Sequence, residues 1–486
     1  MAQDTVTKAD DSLDPELKRL ATAIIVGAIA VILDTTIVSV GIHELGTDLG
    51  ASVGTIQWVS TAYLLAMFVT IPLSGWAQGR LGSKRLWLVG LSTFLLGSAL
   101  CAAAWSAPSL IAFRAVQGIG GGVLMPLMTT LLMQAAHGRN VGKLMASVSL
   151  PAALGPILGP VLGGVILHYA SWQWMFLVNL PLGAVGLWLA VRMIPADLPS
   201  RRVPLDAVGL ALVSPGIVGV IYGLTQVGEL GGFDHARVLA PLIAGLALIG
   251  AFAWWAARRG PSALIDVRLF RHAPLRTSSI LMFLTGIGLY GAMLLLPLYW
   301  QQVRGEDALG AGLLLVPQGV GALASRTIAG RLTDSIGGRW VAVAGFAVVS
   351  LATVPFALAD EHTATWSLML ALLVRGFGLG AVFIPLMAVA FSGLERDEMP
   401  HASIVTRVAQ QLGGSFGTAV LAVILVSAAA GAASLHDLAG AFDTAFWWAA
   451  AFTAVAAALS LLLPGRVART EPPHGRDASP TSSTRP

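Results

Sequence analysis

The sequence predicts an all-helical membrane protein with fourteen transmembrane spans. Hydrophobic residues make up 56% of the 486 residues and charged residues only 11%, whereas a soluble protein carries about a quarter charged residues. The chain contains many apolar segments of about 20 residues, the length that crosses a bilayer as a helix. Basic residues are concentrated in alternate connections between these segments. Together these observations indicate that lipid solvates most of the chain.

The fourteen apolar segments are separated by short polar connections. If both termini are cytoplasmic, 23 of the 29 Lys and Arg residues fall in inside segments and two in outside loops, while four lie within spans. The positive-inside rule therefore favours an even number of spans in the cytoplasmic (inner) membrane, with both termini inside. The predicted spans are 20–41, 56–78, 86–105, 108–135, 142–168, 173–193, 206–228, 237–257, 277–301, 309–332, 340–359, 365–392, 402–430 and 441–463.

Two short sequences recur in the second half of the chain. The segment "GWAQGRLGSKR" at 75–85 shares its Gly spacing and basic flank with "GRLTDSIGGRW" at 330–340. In the same way, "GIGGGVLMPLM" at 118–128 corresponds to "GFGLGAVFIPLM" at 376–387. Repeated halves around a site at the membrane midplane are an architecture of transporters.

The repeat divides the chain into five regions. We expect a cytoplasmic tail at 1–19, a six-helix bundle at 20–193 and a second bundle at 276–463. Two additional spans lie between the bundles, in 194–275. The Pro-, Ser-, Thr- and Arg-rich segment 464–486 is typical of a disordered cytoplasmic tail.

Several classes of protein are disfavoured by what the sequence lacks. Cys101 is the single cysteine, so one chain forms no disulfide and no cysteine-based metal site. There is no GxxxxGK[ST] or HExxH motif, which argues against an ATPase motor and a zinc protease. A membrane-embedded enzyme would need catalytic acids or histidines clustered at one interface, and a sensor would need a soluble output domain. We therefore expect a protein that is not an enzyme, with no metal, no cofactor and no nucleic-acid partner.

Asp34 is the most informative residue, because it interrupts the apolar run "AVILDTTIVSV". A carboxylate at this depth costs about 2.5–3.5 kcal/mol on insertion scales and usually has a function. Burial disfavours its ionised form, whereas a nearby cation favours it. Arg114, in "FRAVQG" of the fourth span, is a candidate cation, and Gln117 lies one turn further on. A structural hydrogen bond from Asp34 and a fixed tether through Arg114 are the alternatives.

Four motifs in order resemble those of the major facilitator superfamily, specifically its drug:proton antiporter branch with fourteen helices. They are "LDTTIV" in the first span, "GWAQGRLGSKR" after the second, "LIAFRAVQGIGGG" in the fourth and "GPILGPVLGG" in the fifth. The resemblance implies two six-helix bundles plus two central helices, and proton coupling through Asp34 and Arg114. It also implies export through the fifth-span motif, which contains Gly155, Pro156, Gly159, Pro160, Gly163 and Gly164.

The loop after the second span departs from the family pattern. The resemblance implies a cytoplasmic gate there, formed by a tight turn, but the usual Asp is replaced by Gly79. The late copy keeps that Asp as Asp334, which could pair with Arg331 or Arg339. The gate residues expected in the early copy are Gly75, Arg80, Gly82, Lys84 and Arg85.

A central substrate cavity is expected to contain polar and aromatic side chains from several spans. Trp and Tyr are also common as anchors at the lipid interface, and Arg407 could extend to lipid headgroups. Spans nine to fourteen contain no deeply placed acid, so an anionic or neutral substrate suits Arg407 better than a dication. The candidates are Gln57, Trp58, Tyr63, Gln117, Tyr290, Gln318 and Arg407.

The resulting hypothesis is proton-coupled efflux of hydrophobic drugs or toxic compounds by alternating access. Its partners would be a lipophilic small molecule, protons as the coupling ion and the lipid bilayer, and we expect a monomer. The alternative is a dedicated exporter of one natural product or antibiotic that confers self-resistance.

Overall fold

The structure is a computed structural model that describes residues 15–51, 53–136, 159, 162–167, 169–196, 204–230, 232–306, 308–360, 362–395 and 397–465. All regular secondary structure in these ranges is helical. Most of the predicted fifth span and of both predicted tails lies outside the described residues. Gly155, Pro156 and Pro160 of the fifth-span motif also lie outside them.

The first bundle begins with helix α1, Pro15–Ile37, which starts five residues before the predicted span. Proline suits the first turn of a helix because its missing N–H has no partner there in any case. The other described helices of this bundle are α2 (Ile42–Asp48), α3 (Val53–Thr70), α4 (Leu73–Leu81), α5 (Ser83–Ala102), α6 (Ala107–Ala136), α7 (Trp174–Leu177) and α8 (Asn179–Met193).

Two long helices, which we call the linker pair, follow the first bundle. They are α9 (Ala207–Leu230) and α10 (Ala236–Arg259). The described helices of the second bundle are α11 (Ala273–Gln302), α12 (Ala308–Leu314), α13 (Val316–Ile336), α14 (Gly338–Thr353), α15 (Thr365–Ala390), α16 (Met399–Ala429) and α17 (Leu435–Ser460).

Within the described residues, eleven helices are long and apolar enough to cross a membrane, or twelve if the bent pair α3 and α4 forms one span. The axis of that pair bends by 58° after Thr70. Helices α12 and α13 cover the predicted tenth span, but α13 contains Arg326, Arg331 and Asp334 and is less apolar than the others. The fold is therefore a many-helix membrane bundle, and the number of fourteen spans stays a prediction.

The two copies of the glycine-rich turn have the same backbone geometry. Gly82 joins α4 to α5 with φ 85° and ψ 164°, and Gly337 joins α13 to α14 with φ 91° and ψ 155°. Residues other than glycine rarely adopt this positive φ. The predicted tight turn is thus a single glycine, because Gly75 and Arg80 already belong to α4.

Close helix packing at two glycines positions the buried polar groups. A Cβ on Gly118 of α6 would collide with the backbone oxygen of Tyr63 on α3. Likewise, a Cβ on Gly376 of α15 would collide with the backbone oxygen of Gln318 on α13. Small residues permit such approaches between membrane helices. These two helix pairs are therefore held at backbone distance, with an aromatic or polar residue on the partner helix.

Helix α9 of the linker pair packs against both bundles. The Ser214 hydroxyl donates to the carbonyl of Val69 on α3 over 3.1 Å, and the rings of Trp58 and Tyr222 lie 6.4 Å apart. On its other side, α9 contributes to an apolar cluster with α16 that includes Val220 and Ala419. The linker pair is therefore an integral part of the helix packing.

The two bundles also meet directly near the junction of α4 and α5. The hydroxyls of Thr130 on α6 and Ser403 on α16 are 2.7 Å apart, and both side chains are buried. Beside them, a Cβ on Gly75 would lie 3.1 Å from the side chain of Ile404. This is the end of the molecule at which the sequence predicted a gate.

Candidate functional site

The site is centred on an ion pair between the first bundle's α1 and α6. Nη1 of Arg114 lies 2.6 Å from Oδ2 of Asp34, and both side chains are almost fully inaccessible, at 2% and 0% exposure. Buried charges are tolerated when they are paired and hydrogen-bonded. The two residues that the sequence singled out independently are therefore brought into contact by the fold.

Two amides complete the coordination of the carboxylate. Nε2 of Gln117 and Nδ2 of Asn179 each donate to Oδ1 of Asp34 over 2.9 Å. Both amides also donate to the hydroxyl of Ser98, which donates in turn to the carbonyl of Phe176 over 2.9 Å. We call Asp34, Arg114, Gln117, Asn179 and Ser98 the ion-pair network.

Asn179 and Ser98 were not predicted from the sequence. Asn179 is the first residue of α8 and interrupts the apolar stretch "FLVNLPLG", a signal similar to that of Asp34 but without a charge. Ser98 gives no such signal, because serine is common in membrane helices. The structure also places Gln117 in this network, in agreement with its position one turn after Arg114. Its role in a substrate cavity stays a prediction.

Tyr63 forms one wall of the ion-pair network. The guanidinium carbon of Arg114 lies 4.1 Å from the centre of the Tyr63 ring, within the range of a cation–π interaction. Nε of Arg114 donates to the carbonyl of Val59 on the same helix as Tyr63 over 3.2 Å. The Tyr63 hydroxyl is buried and has no hydrogen-bond partner within the described part of the chain.

Asp34 acts only as a hydrogen-bond acceptor in this network. Its three side-chain partners are Arg114, Gln117 and Asn179, and all of them act as donors. The orientation of Gln117 is fixed because its Oε1 accepts from Nη1 of Arg114 over 2.7 Å. A protonated carboxyl would carry one O–H donor in addition to its remaining acceptor capacity, and none of the three observed contacts uses such a donor.

A second buried arginine lies in the other bundle. Arg375 of α15 donates to Oε1 of Gln318 over 2.7 Å, to the carbonyl of Gly288 over 2.8 Å and to the hydroxyl of Thr353 over 3.2 Å. All three acceptors are neutral, and Arg375 has no salt bridge among the described residues. Gln318, a predicted cavity residue, is thus assigned to this arginine.

The remaining cavity candidates have varied surroundings. Nη1 of Arg407 lies 3.2 Å from Oε1 of Gln410, and its Nε has no partner among the described residues. The hydroxyl of Tyr290 is 3.4 Å from Oε1 of Gln411, so it belongs to the α11–α16 contact. Trp58 is 43% exposed beside the linker pair. Gln57 lies on α3, and its side chain is outside the described part.

The basic residues of the predicted gate have two different positions. Nζ of Lys84 donates to the carbonyls of Val191 and Ile194 at 2.8 Å each, where α8 ends. Nε of Arg339, the corresponding residue of the late copy, donates to the carbonyl of Leu463 after α17 over 2.5 Å. Both cations therefore cap the last helix of their own bundle.

The other gate residues lie near the same end of the bundle. Arg80 stacks near Trp76, with 5.7 Å between the guanidinium carbon and the ring centre, while Arg85, Arg331 and Asp334 are exposed. Gly75 of the early copy faces the second bundle, where its nearest neighbours are Ile404 and Pro400.

The described part of the fifth-span motif is in contact with α1. A Cβ on Gly159 would collide with the side chain of Thr36, two residues after Asp34. Gly163 is buried, and Gly164 has open space around the position of a Cβ. Gly159 therefore permits a close approach to α1 beside the ion-pair network. No group of three or more His, Cys, Asp or Glu residues within the described ranges could hold a metal ion.

Comparison with known proteins identifies the family. The sequence profile of the Major Facilitator Superfamily matches residues 24–418. The chain belongs to the Major Facilitator Superfamily. By family it is therefore a multi-pass membrane transporter, and its all-helical structure is the fold of this superfamily.

Relatives and solved structures agree with this assignment. The chain is 37% identical over 417 residues to the "Multidrug resistance protein B homolog" of Mycobacterium tuberculosis (strain ATCC 25618 / H37Rv), covering 85% of this chain and 77% of the relative. It is 29% identical to the "Putative multidrug resistance protein MdtD" of Serratia proteamaculans (strain 568), covering 81% of this chain and 82% of the relative.

Among solved structures, the human organic anion transporter MFSD10 superposes with a TM-score of 0.64 at 19% identity, covering 92% of this chain and all of that one. The proton:xylose symporter XylE gives 0.64 at 15% identity, with 91% and 94% covered. At these identities the structural likeness establishes the fold alone.

Proposed function

We propose that this superfamily member exports hydrophobic compounds across the cytoplasmic membrane in exchange for protons. The observation that carries the proposal is the Asp34–Arg114 pair, a titratable carboxyl held by donors from α6 and α8. An ionisable residue at this depth in a membrane protein commonly belongs to a proton relay. The names of the relatives, which refer to multidrug resistance, support the export of drug-like compounds.

The mechanism follows from the donors around Asp34. A proton arriving from outside neutralises the carboxylate, which removes its attraction for Arg114 and forces the amides to rearrange. The helices that carry these groups then shift, and the contact between Thr130 and Ser403 opens or closes as the bundles rock. We place both termini in the cytoplasm on the basis of the positive-inside rule, and we propose that the monomer is the transporting unit.

The proposal is tested by the variant Asp34→Asn in purified protein reconstituted in liposomes. The carboxamide keeps the size of the side chain but cannot exchange a proton, so we expect acceleration of efflux by a pH gradient to be lost. Asp206→Asn is a matched control, because Asp206 is also buried but binds Gly209, Leu264 and Trp255 within the linker region. Full gradient-driven efflux by the Asp34 variant would exclude this carboxyl from coupling.

The charge of the transported compound is constrained by the second bundle. Arg326 and Arg375 are buried there, Arg407 is half-buried, and no carboxylate pairs with them in the described part of the chain. An uncompensated cation disfavours a dicationic drug and favours an anionic or neutral one. We therefore propose that amphiphilic acids and neutral compounds are better substrates than cationic dyes.

A panel of cationic dyes, neutral compounds and acids in the same efflux assay tests this preference. Export of many acids and neutral compounds supports multidrug transport, whereas export of a single compound supports a dedicated exporter that confers self-resistance. Preferential efflux of dications would contradict the proposed role of the arginines.

A further inference from the structure

A basic pocket lies where the linker pair joins the second bundle. Its volume is about 670 Å³, and it is lined by Arg268, Arg271 and Arg276 together with Phe270 and two small apolar residues, Ala257 and Val267. The segment between α10 and α11 folds back as a 3-10 turn, Val267–Arg271, which directs two of the arginines to the same opening as Arg276. We call this site the arginine pocket.

The charge of the arginine pocket is not neutralised by the protein. None of its lining residues is acidic. Asp266, which precedes the lining residue Val267, accepts from the backbone N–H of Arg268 over 2.9 Å. Asp206 accepts from the backbone N–H of Leu264 over 3.0 Å and lies 3.7 Å from Arg259. Among the described residues, none of the three lining arginines forms a salt bridge.

The pocket is located at the membrane interface. Helix α10 ends beside it, and only 17% of the most apolar stretch of α10 is buried in protein, so the helix is largely exposed to lipid. Trp254 is 56% exposed, and the guanidinium carbon of Arg258 lies 3.9 Å from the centre of its ring. Exposed Trp and Arg side chains at a helix end are typical of the headgroup layer.

An exposed apolar track leads from the pocket towards the membrane centre. Ala257 lines the pocket, and Trp254, Leu246 and Ile243 precede it by 3, 11 and 14 residues, which places all four on one side of the helix. Leu246 and Ile243 are 55% and 60% exposed. The track is about 20 Å long at 1.5 Å per residue, which is long enough to accompany an acyl chain.

We propose that the arginine pocket binds the phosphodiester headgroup of an anionic phospholipid, with one acyl chain lying along the exposed face of α10. Guanidinium groups match phosphate oxygens in geometry and charge, because each can donate two parallel hydrogen bonds. Basic pockets between membrane helices bind anionic headgroups in this manner. The adjoining apolar track favours a lipid over free phosphate, and the site is independent of the transported compound.

The proposal is tested with the full chain by native mass spectrometry, with phosphatidylglycerol and phosphatidylcholine of identical acyl chains as competing probes. We expect the wild-type protein to retain phosphatidylglycerol preferentially, and Arg271→Gln/Arg276→Gln to lose about fivefold in preference for each arginine removed. Arg19→Gln/Arg192→Gln is the matched control, because it removes two exposed arginines outside the pocket. This control should keep the preference.

Two further measurements decide between lipid and free phosphate. Inorganic phosphate at millimolar concentration should leave the bound phosphatidylglycerol in place, and Leu246→Gln/Ile243→Gln should weaken its retention. Equal loss in the pocket and control variants would overturn the site, and displacement by inorganic phosphate would overturn its assignment to a lipid. An unchanged thermal unfolding temperature in all variants would confirm that the differences reflect binding.

Discussion

Arg114 and Arg375 are both buried between corresponding helices of the two bundles, but their partners differ in charge. Tyr63 and Gln318, 255 residues apart, lie beside the respective arginines. Ser98 and Thr353 have the same separation, but Thr353 accepts from Arg375 directly whereas Ser98 accepts from Gln117. In the first bundle, α1 contributes the carboxylate of Asp34. In the second, α11 contributes the backbone carbonyl of Gly288.

The first site therefore contains a carboxyl group that can bind a proton, whereas the second contains only neutral acceptors in the described part of the chain. The Asp34–Arg114 pair has no net charge, and protonation of the carboxyl changes it to a cation. Among the described residues, Arg375 has only neutral hydrogen-bond acceptors, so its surroundings contain no carboxylate to protonate. Corresponding positions of the two bundles thus hold an ion pair in one half and an arginine with neutral partners in the other.

The largest difference in stability between the two sites is expected when each arginine is removed in turn. Arg114→Met leaves a buried carboxylate without a counter-charge, which costs about 3–5 kcal/mol of stability. Arg375→Met leaves only neutral acceptors, so we expect a smaller loss. Thermal unfolding of both variants in one detergent checks the order, and adding Asp34→Asn to Arg114→Met should recover part of the loss. Equal losses without recovery would show that the ion pair has no special energetic role.

Substituting an uncharged hydrogen-bonding residue at each site tests the same difference between the bundles. Asn179→Leu and Thr353→Val each remove one hydrogen bond to a charged group, worth about 1.5–3 kcal/mol. Both variants should therefore unfold at lower temperature. Only Asn179→Leu should also change how efflux depends on external pH, because Asn179 donates to Asp34. A shifted pH profile for Thr353→Val instead would assign a proton site to the second bundle.

A third test concerns the contact at which the bundles meet. Thr130→Val removes the hydrogen bond to Ser403, with a loss of about 1 kcal/mol, or roughly a fivefold change in the ratio of closed to open molecules. Distances between spin labels on α4 and on α16 report this ratio. Thr285→Val is the control, since the Thr285 hydroxyl is bonded to Leu281 of its own helix. An identical ratio in both variants would show that this hydrogen bond does not hold the bundles together.

The smallest effects on stability are expected at the helix caps, where both bundles place a cation at the end of their last helix. Lys84→Met and Arg339→Met each remove a cation from the end of the last helix of a bundle. A favourable charge at a helix C-terminus contributes about 0.3–1 kcal/mol. Small and similar decreases in the thermal unfolding temperature are expected, with efflux retained. Loss of efflux at normal stability would return these residues to the role of a gate.

Individual residues show how far the sequence was informative. Asp34 and Arg114 were identifiable because lipid makes any charge in a span costly, so a charge that is present stands out. Asn179 was missed, and the contact of Gln318 with Arg375 was not predicted, because a single amide in a span has many acceptable positions. Lys84 was predicted at a gate through the family resemblance, and the structure shows that it caps α8.

By itself, the sequence determined that the chain lies in a membrane, that two of its motifs recur in the second half and that Asp34 and Arg114 lie within spans. These properties follow from local composition, because each helix must satisfy its own backbone in lipid. Only the tertiary structure decided that five residues from α1, α5, α6 and α8 form one network and that Arg375 has neutral partners. These contacts depend on how each helix is rotated against its neighbours, which is fixed by packing between residues far apart in the chain.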